Sequence, residues 1–135
     1  IGQLPIEVRF EISENLIIRA DPEQLHRALS NLVRNARQAL ADQSQGGAIV
    51  LKAWQNPEFW FIDVVDNGPG LPEKAKAHLF KPFQGTATWG GSGLGLTIVQ
   101  ELMRGHGGNA EYLEVNRPGA CFRLMLPKLT LDNAE

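Results

Sequence analysis

The sequence has little of what marks several common protein classes. A single cysteine, Cys121, excludes an internal disulfide framework and a cysteine-cluster zinc site. Lysine and arginine number 13 against 15 acidic residues, and no stretch resembles a basic arm, so nothing in the charge suggests nucleic-acid binding. The longest apolar stretches, such as residues 59–65, fall far short of the roughly 18 residues that span a bilayer. What remains is a 135-residue chain, 43% hydrophobic, which suits one domain with a sizeable core.

The N-terminal third predicts two strands and a strongly amphipathic helix. Polar and apolar residues alternate over 7–13, and a short apolar segment at 16–20 also has the character of a strand. Asp21 is a good N-cap and Pro22 occupies the favoured first position, so a helix over 22–41 is expected. Its apolar residues recur at helical spacing: Leu25, Ala28, Leu29, Leu32, Val33, Ala36, Ala39 and Leu40.

The remainder predicts two hairpins separated by a glycine-rich region and a second helix. The predicted strands are 48–54, 60–65, 109–115 and 120–127. Glycines concentrate in residues 66–95, where only a short stretch near 73–79 has helical character. The second helix ends at residues 106–108, with a glycine at the left-handed position. This order predicts an α+β two-layer sandwich, with a mixed, mostly antiparallel sheet and its helices on one face.

Three segments carry candidate site residues. On the first helix, Asn31, Asn35 and Gln38 share one flank of the apolar stripe, where they either meet a ligand or are boundary polar residues satisfied by backbone. The DNGPG sequence at 66–70 follows a strand; its Asp suits a flat amino-bearing ring, although the same residues also make a plain turn. GGSGLGL at 90–96 runs into the second helix, where free N–H groups and the helix dipole favour phosphate.

A long segment, LPEKAKAHLFKPFQGTATW, joins these two glycine motifs. Segments of this length with little regular structure tend to be either lids or disordered. Phe80 and Phe83 either clamp the segment onto the core as a local staple or have a role linked to a ligand.

These motifs together resemble the ATP-binding catalytic domain of sensor histidine kinases, within the GHKL ATPase/kinase superfamily. NLVRNARQAL is similar to the N box of that family, DNGPG to its G1 box, LFKPF to its F box and GGSGLGL to its G2 box. GACFRLMLP resembles the closing strand. The resemblance covers roughly residues 6–127, and four boxes in one order make it highly specific.

The resemblance implies ATP and Mg²⁺ as cofactors and assigns roles to individual residues. Asn35 would bind Mg²⁺ at the ATP phosphates, and an amide oxygen suits this hard ion. Asp66 would receive the adenine amino group, while the G2 glycines and the following helix start would hold the phosphates. The complete implied ATP site is Asn31, Asn35, Arg37, Gln38, Asp66, Gly68, Gly70, Leu71, Lys81, Phe83, Gly91, Ser92, Gly93, Leu94, Gly95 and Leu96.

Several residues depart from the family pattern. Asn31 stands where ATP-hydrolysing relatives have a water-activating Glu, and an amide does not take a proton at neutral pH, so hydrolysis is disfavoured. Gln38 and Ala39 replace a common Lys and aromatic residue, as in N boxes of the nitrogen-sensor type.

The phosphate side and the last strand also differ. The lid has no Arg or Lys between residues 84 and 95, which leaves Lys81 or Arg37 to supply positive charge. Ala120 stands at a position that is usually Thr.

No catalytic residue is identified in the chain. His26, His78 and His106 lack the long helix and following acidic residue that mark a phosphoacceptor in this family. We therefore expect residues 1–135 to form one ATP-binding catalytic domain, with a lid at 71–92 and a tail at 128–135. Because the chain begins at Ile1 rather than Met, it is expected to be a piece of a longer protein.

The resemblance implies a role in two-component signal transduction. The domain would donate the γ-phosphoryl group of ATP to a histidine on a separate dimerisation and phosphoacceptor domain of the same kinase, and so act indirectly on a response regulator. We expect a monomeric domain without nucleic-acid partners, in a homodimeric parent protein. A cytoplasmic location is expected, with inner-membrane anchoring of the parent left open. The alternatives are an ATP-driven clamp of the GHKL ATPase type and a degenerate interaction module that binds no nucleotide.

Overall fold

The computed structural model describes residues 5–41, 46–71, 76, 79–80, 95–115 and 119–128. Two helices and five strands lie in these ranges: β1 (Ile6–Ile12), α1 (Pro22–Ala41), β2 (Gly47–Gln55), β3 (Phe59–Asp66), α2 (Gly95–Gly105), β4 (Asn109–Leu113) and β5 (Ala120–Pro127). The short helix predicted near 73–79, most of the lid and the tail beyond Lys128 lie outside the described residues. Neither α1 nor α2 combines the length and hydropathy that a membrane crossing requires.

The five strands form one mixed sheet in the order β1-β2-β3-β5-β4. β1 pairs with β2 in parallel, whereas the β2–β3, β3–β5 and β4–β5 pairs are antiparallel. Both predicted hairpins, β2–β3 and β4–β5, are therefore confirmed. The register places Asp66, the last residue of β3, opposite Ala120, the first residue of β5.

The core lies between the sheet and the two helices. Every second residue of β3 enters it (Trp60, Ile62 and Val64), and so do Phe122, Leu124 and Leu126 of β5. From α1 it receives Ala28, Leu32, Ala36 and Leu40, and from α2 it receives Leu96, Val99 and Met103. Both helices therefore cover the same face of the sheet, and the predicted α+β two-layer sandwich is confirmed.

α1 begins at the predicted cap. The Asp21 Oδ1 accepts hydrogen bonds from the backbone N–H groups of Glu23 (3.0 Å) and Gln24 (3.1 Å), two of the donors that a helix start leaves unpaired. The N–H of Asp21 in turn donates to His106 Nε2 at 3.1 Å, beyond the end of α2. His106 Nδ1 lies 2.8 Å from the carbonyl oxygen of Leu102, so this imidazole joins the end of α2 to the start of α1. His106 is thus occupied in a structural contact.

The end of α2 is also as predicted. Gly107 adopts a φ of 76°, and the N–H of Gly108 donates to the carbonyl oxygen of Met103 at 2.8 Å. This bond pattern closes a helix when a residue free of a Cβ takes the left-handed conformation. The chain then turns directly into β4.

The strand predicted at 16–20 is wrong. β1 ends at Ile12, and Asn15 follows in a turn with a φ of 59°. Residues 16–20 pair with no strand in the described structure. Leu16 and Ile18 pack against the core, whereas Ile17 is exposed. The apolar run that suggested a strand therefore belongs to an unpaired segment that packs partly against the core.

The sheet face opposite the helices, which we call the open face, carries a partly buried ion pair. Arg123 donates to both carboxylate oxygens of Asp63, from Nε at 2.8 Å and from Nη2 at 3.0 Å. The guanidinium also lies 5.0 Å from the ring centre of Trp54, which stacks on Phe61. Bidentate pairing satisfies the Asp63 carboxylate, which would otherwise be a costly buried charge.

Cys121, on the open face beside this pair, is expected to be unreactive in the folded protein. Burial, followed by the nearby negative charge of Asp63, raises the pKa of its thiol to about 12 from an ordinary value of 9.0. Because the thiolate is the reactive form, modification by iodoacetamide near neutral pH should be at least roughly 100-fold slower than for the unfolded chain. Mass spectrometry of timed samples, with and without denaturant, measures both rates. Equal rates would contradict the burial of this thiol.

Candidate functional site

The amide residues of α1 meet the start of α2. The apolar stripe of α1 faces the sheet, which leaves Asn31 and Asn35 along one flank, one helical turn apart. A Cβ at Gly95 would lie 3.4 Å from Asn31 Oδ1 and 3.8 Å from Asn35 Oδ1. The first residue of α2 thus lies next to both amides, at a distance where an added methyl group would make ordinary van der Waals contact. The structure brings together residues from the N box and the G2 box.

Two buried polar atoms on this flank have no hydrogen-bond partner. They are Asn35 Nδ2 and Gln38 Oε1, and in the described part of the chain only Trp60 Nε1 shares this state. Asn31 differs, because its Nδ2 donates to the carbonyl oxygen of Arg27 at 2.9 Å. Buried polar groups are nearly always paired, so two unpaired ones three residues apart mark a place that a ligand or water completes. The boundary-polar interpretation therefore fits Asn31 better than the other two.

Asp66 forms a second wall of the site, at the end of β3. Only 5% of its surface is exposed, and its Oδ1 accepts a 2.9 Å hydrogen bond from the N–H of Gly68. A Cβ at Gly68 would lie 3.1 Å from that oxygen and 3.6 Å from the carbonyl oxygen of Ala39 in α1. The DNGPG turn therefore holds the carboxylate in one orientation and rests on the C-terminal end of α1.

Asn67 anchors this turn to β2. Its Oδ1 accepts a hydrogen bond from the N–H of Ala48 at 2.8 Å, and its own N–H donates to the carbonyl oxygen of Ala48 at 3.3 Å. The side chain thus continues the sheet for one step beyond the last strand pair. Sequence reasoning assigned no role to Asn67, since an Asn before Gly is a common turn signal by itself.

Gly119 supports Asp66 from the neighbouring strand, and sequence reasoning also missed it. Its φ is 133°, and a Cβ there would collide with the carbonyl oxygen of Asp66 and lie 3.2 Å from the Cα of Asn67. Its own carbonyl oxygen would lie 3.1 Å from a Cβ at Gly70, whose φ is 83°. Only the strand register reveals this contact, because 53 positions separate Asp66 from Gly119 in the sequence.

Not every predicted site residue joins this arrangement. Arg37 lies on the opposite flank of α1, where it lines a surface groove with Leu29 and Val33, so the structure does not bring it to the amides. Leu96 is only 1% exposed and packs in the core, which leaves its backbone N–H as the group available at the start of α2. Leu71 is half-buried against the core next to the DNGPG turn.

The remaining predicted residues lie outside the described part of the chain. They are Lys81, Phe83, Gly91, Ser92, Gly93 and Leu94. Phe80, at the start of this gap, packs edge-on against Phe122 with ring centres 6.5 Å apart, and Thr97 Oγ1 donates to its carbonyl oxygen at 3.2 Å. The described part of the F box is thus attached to both the sheet and α2.

The side chains present suit a hydrated magnesium ion bound together with phosphates. No group of three or more His, Cys, Asp or Glu residues among the described positions could hold a metal by itself. Asn35 offers a hard amide oxygen facing the start of α2, where free N–H groups favour phosphate. Mg²⁺ commonly keeps several waters and takes one or two protein oxygens plus substrate phosphates. The donor set therefore fits this ion only as part of a phosphate complex.

Comparisons with known proteins identify the family of this chain and similar solved structures. Residues 20–130 match the family described as Histidine kinase-, DNA gyrase B-, and HSP90-like ATPase. The chain is 31% identical to the circadian input-output histidine kinase CikA of Synechococcus elongatus over 137 aligned residues, covering 97% of this chain and 18% of that protein. The catalytic domain of histidine kinase ThkA is 32% identical, with a TM-score of 0.78 over 91% of this chain and 80% of that one.

A third similar structure is full-length ShkA in complex with AMPPNP. It is 31% identical, with a TM-score of 0.75, and the match covers 90% of this chain and 25% of that one. ThkA has also been solved in complex with the response regulator protein TrrA. The chain spans about a fifth of the length of CikA, so these full-length kinases contain much that it does not.

The five-strand mixed sheet, its helical layer and the site between α1 and α2 define an α+β sandwich of the histidine-kinase catalytic type. The chain belongs to the Histidine kinase-, DNA gyrase B-, and HSP90-like ATPase family. The similarities to CikA, ThkA and ShkA identify it, within that family, as an ATP-binding catalytic domain of the sensor histidine kinases.

Proposed function

We propose that this domain binds ATP with Mg²⁺ and donates the γ-phosphoryl group to a histidine on a separate dimerisation and phosphoacceptor domain of its parent kinase. The observation that carries the proposal is the meeting of Gly95, at the start of α2, with Asn31 and Asn35 of α1, the helix whose C-terminal end lies against the turn that holds the buried carboxylate of Asp66. In this arrangement Asp66 accepts from the adenine amino group, and the start of α2 binds the phosphates. ShkA, a similar structure, has been solved in complex with AMPPNP, which supports nucleotide binding by a domain of this type.

The chain's own residues position the nucleotide and leave the acceptor to another domain. Bound Mg²⁺ would neutralise phosphate charge as the bond between the β- and γ-phosphates breaks and a P–N bond forms to the imidazole, with ADP as leaving group. Asn35 supplies the amide oxygen for that ion. Asn31 is an amide bonded to the helix backbone, so it does not activate water as a Glu would. Without a water-activating base at this position, transfer of the phosphoryl group to a histidine is favoured over hydrolysis of ATP.

The proposal is tested by combining the chain, γ-labelled ATP and a separately prepared phosphoacceptor domain of the same kinase. We expect acid-labile label on a histidine of the second domain, and none when Mg²⁺ is omitted or when Asn35→Ala replaces the parent chain. Label should not accumulate on His26 or His106 of this chain, since neither lies at the site.

Two other results would contradict the proposal. Steady-state release of phosphate by the isolated chain, without labelled histidine, would indicate an ATPase clamp. If calorimetry detected no binding of ATP, with or without Mg²⁺, the domain would instead be an interaction module that binds no nucleotide.

A further inference from the structure

Gln38 holds a buried acceptor that nothing in the described structure satisfies. Its Oε1 has essentially no contact with solvent and no hydrogen-bond donor within reach. Leaving such an atom unpaired typically costs about 1–3 kcal/mol, and buried polar atoms in folded proteins therefore nearly always have a hydrogen-bond partner. An orphan acceptor on the flank that carries Asn35 is therefore expected to be completed by a donor from the bound nucleotide.

The position of Gln38 along α1 selects the part of the nucleotide that it faces. It follows Asn35 by three residues, about 4.5 Å further along the helix axis and about 60° round it. Asn35 lies next to Gly95 at the start of α2, the proposed phosphate end of the site, whereas the backbone carbonyl of Ala39, the next residue after Gln38, lies next to Gly68 at the proposed adenine end. Gln38 thus lies between the groups that bind phosphate and the group that binds the base, which is the level of the ribose.

Few parts of a magnesium nucleotide can donate a hydrogen bond to this oxygen. Ionised phosphates only accept, and the adenine amino group is assigned to Asp66. The ribose hydroxyls and the waters bound to Mg²⁺ remain, and the position along α1 favours the ribose. This step rests on the nucleotide-binding function proposed above.

We propose that Gln38 is a specificity-determining residue whose Oε1 accepts a hydrogen bond from a ribose hydroxyl, so that the site prefers ribonucleotides to deoxyribonucleotides. The unpaired Asn35 Nδ2, which lies on the phosphate side of Gln38, remains available to donate a hydrogen bond to a phosphate or a water. The uncharged amide also keeps the phosphate region of α1 free of an additional fixed charge.

The experiment is calorimetric titration of the chain with ADP, 2′-deoxy-ADP and 3′-deoxy-ADP, each with Mg²⁺ and again with EDTA. At least one deoxy analogue should bind about tenfold more weakly than ADP, as expected for one lost hydrogen bond to a buried acceptor, and this ratio should persist in EDTA. Gln38→Met fills a similar volume without the acceptor, so it should bind ADP about tenfold more weakly and lose the discrimination. Gln38→Glu keeps an acceptor oxygen and should keep the ratio, although its charge lowers overall affinity.

The thermal melting of the unliganded variants separates this role from a structural one. Gln38→Met removes an unpaired buried oxygen and should melt no lower than the parent, whereas loss of a structural residue would lower the melting temperature. Equal binding of ADP and both analogues, or discrimination only when Mg²⁺ is present, would overturn the assignment to the ribose while leaving nucleotide binding intact. Absence of ADP binding in the parent chain would overturn both this inference and the proposed function.

Discussion

Asp66→Asn is expected to weaken binding of ADP and ATP by roughly 100-fold, because the buried site then has one acceptor too few. The carboxylate already accepts from the N–H of Gly68 at 2.9 Å. An asparagine has one oxygen, so it serves either Gly68 or the adenine amino group and presents an N–H₂ group to the other donor. Calorimetric titration measures the loss, and an unchanged melting temperature would show that the domain still folds.

The base analogue that lacks the amino group gives the matched control. Inosine diphosphate carries a carbonyl oxygen where adenosine diphosphate carries the amino group, so it should bind the parent poorly and Asp66→Asn comparatively well. Asn35→Ala should behave differently: it should reduce binding in Mg²⁺ and have little effect in EDTA. If both variants bound ATP as the parent does, the assignment of the site would be wrong.

Much of the fold could be predicted because its signals are local. The Asp21 cap depends on residues within one helical turn, and the end of α2 depends on a glycine two residues beyond it. The four motifs of the candidate site could be recognised for a similar reason, since each is a short run of residues at fixed spacing. The prediction at 16–20 failed because a short apolar run occurs both in a paired strand and in an unpaired segment that packs against the core.

Features that depend on distant partners could not be predicted. The parallel pairing of β1 with β2 has no signal within either strand. The direction of Arg37 depends on which flank of α1 faces α2, and only the assembled helical layer decides that. The orphan state of Gln38 Oε1 likewise emerges from packing, because the same glutamine on an exposed flank would bond to water. Local pattern thus identified the motifs, and the sheet register determined how they support one another.

Gly119→Ala is the strongest test of that register and should lower the melting temperature by roughly 10 °C. Its φ of 133° is rarely adopted by residues with a Cβ, and the added methyl group would collide with the carbonyl oxygen of Asp66. Backbone strain and overpacking each cost about 1–3 kcal/mol, so a combined loss of about 3 kcal/mol in the free energy of unfolding is expected. Thermal melting followed by circular dichroism measures it.

Gly105→Ala is the matched control, since a Cβ at Gly105 would meet nothing within 4 Å and should leave stability unchanged or slightly raised. Because the backbone that must move in Gly119→Ala is that of Asp66 and Asn67, the variant should also bind ADP more weakly than Gly105→Ala at a temperature where both are folded. Melting of Gly119→Ala within about 2 °C of the parent would show that the end of β3 accommodates the methyl group freely. The contact would then have no role in holding the carboxylate. The expected result instead makes Gly119, the residue before β5, a support of the proposed nucleotide site through backbone contact alone.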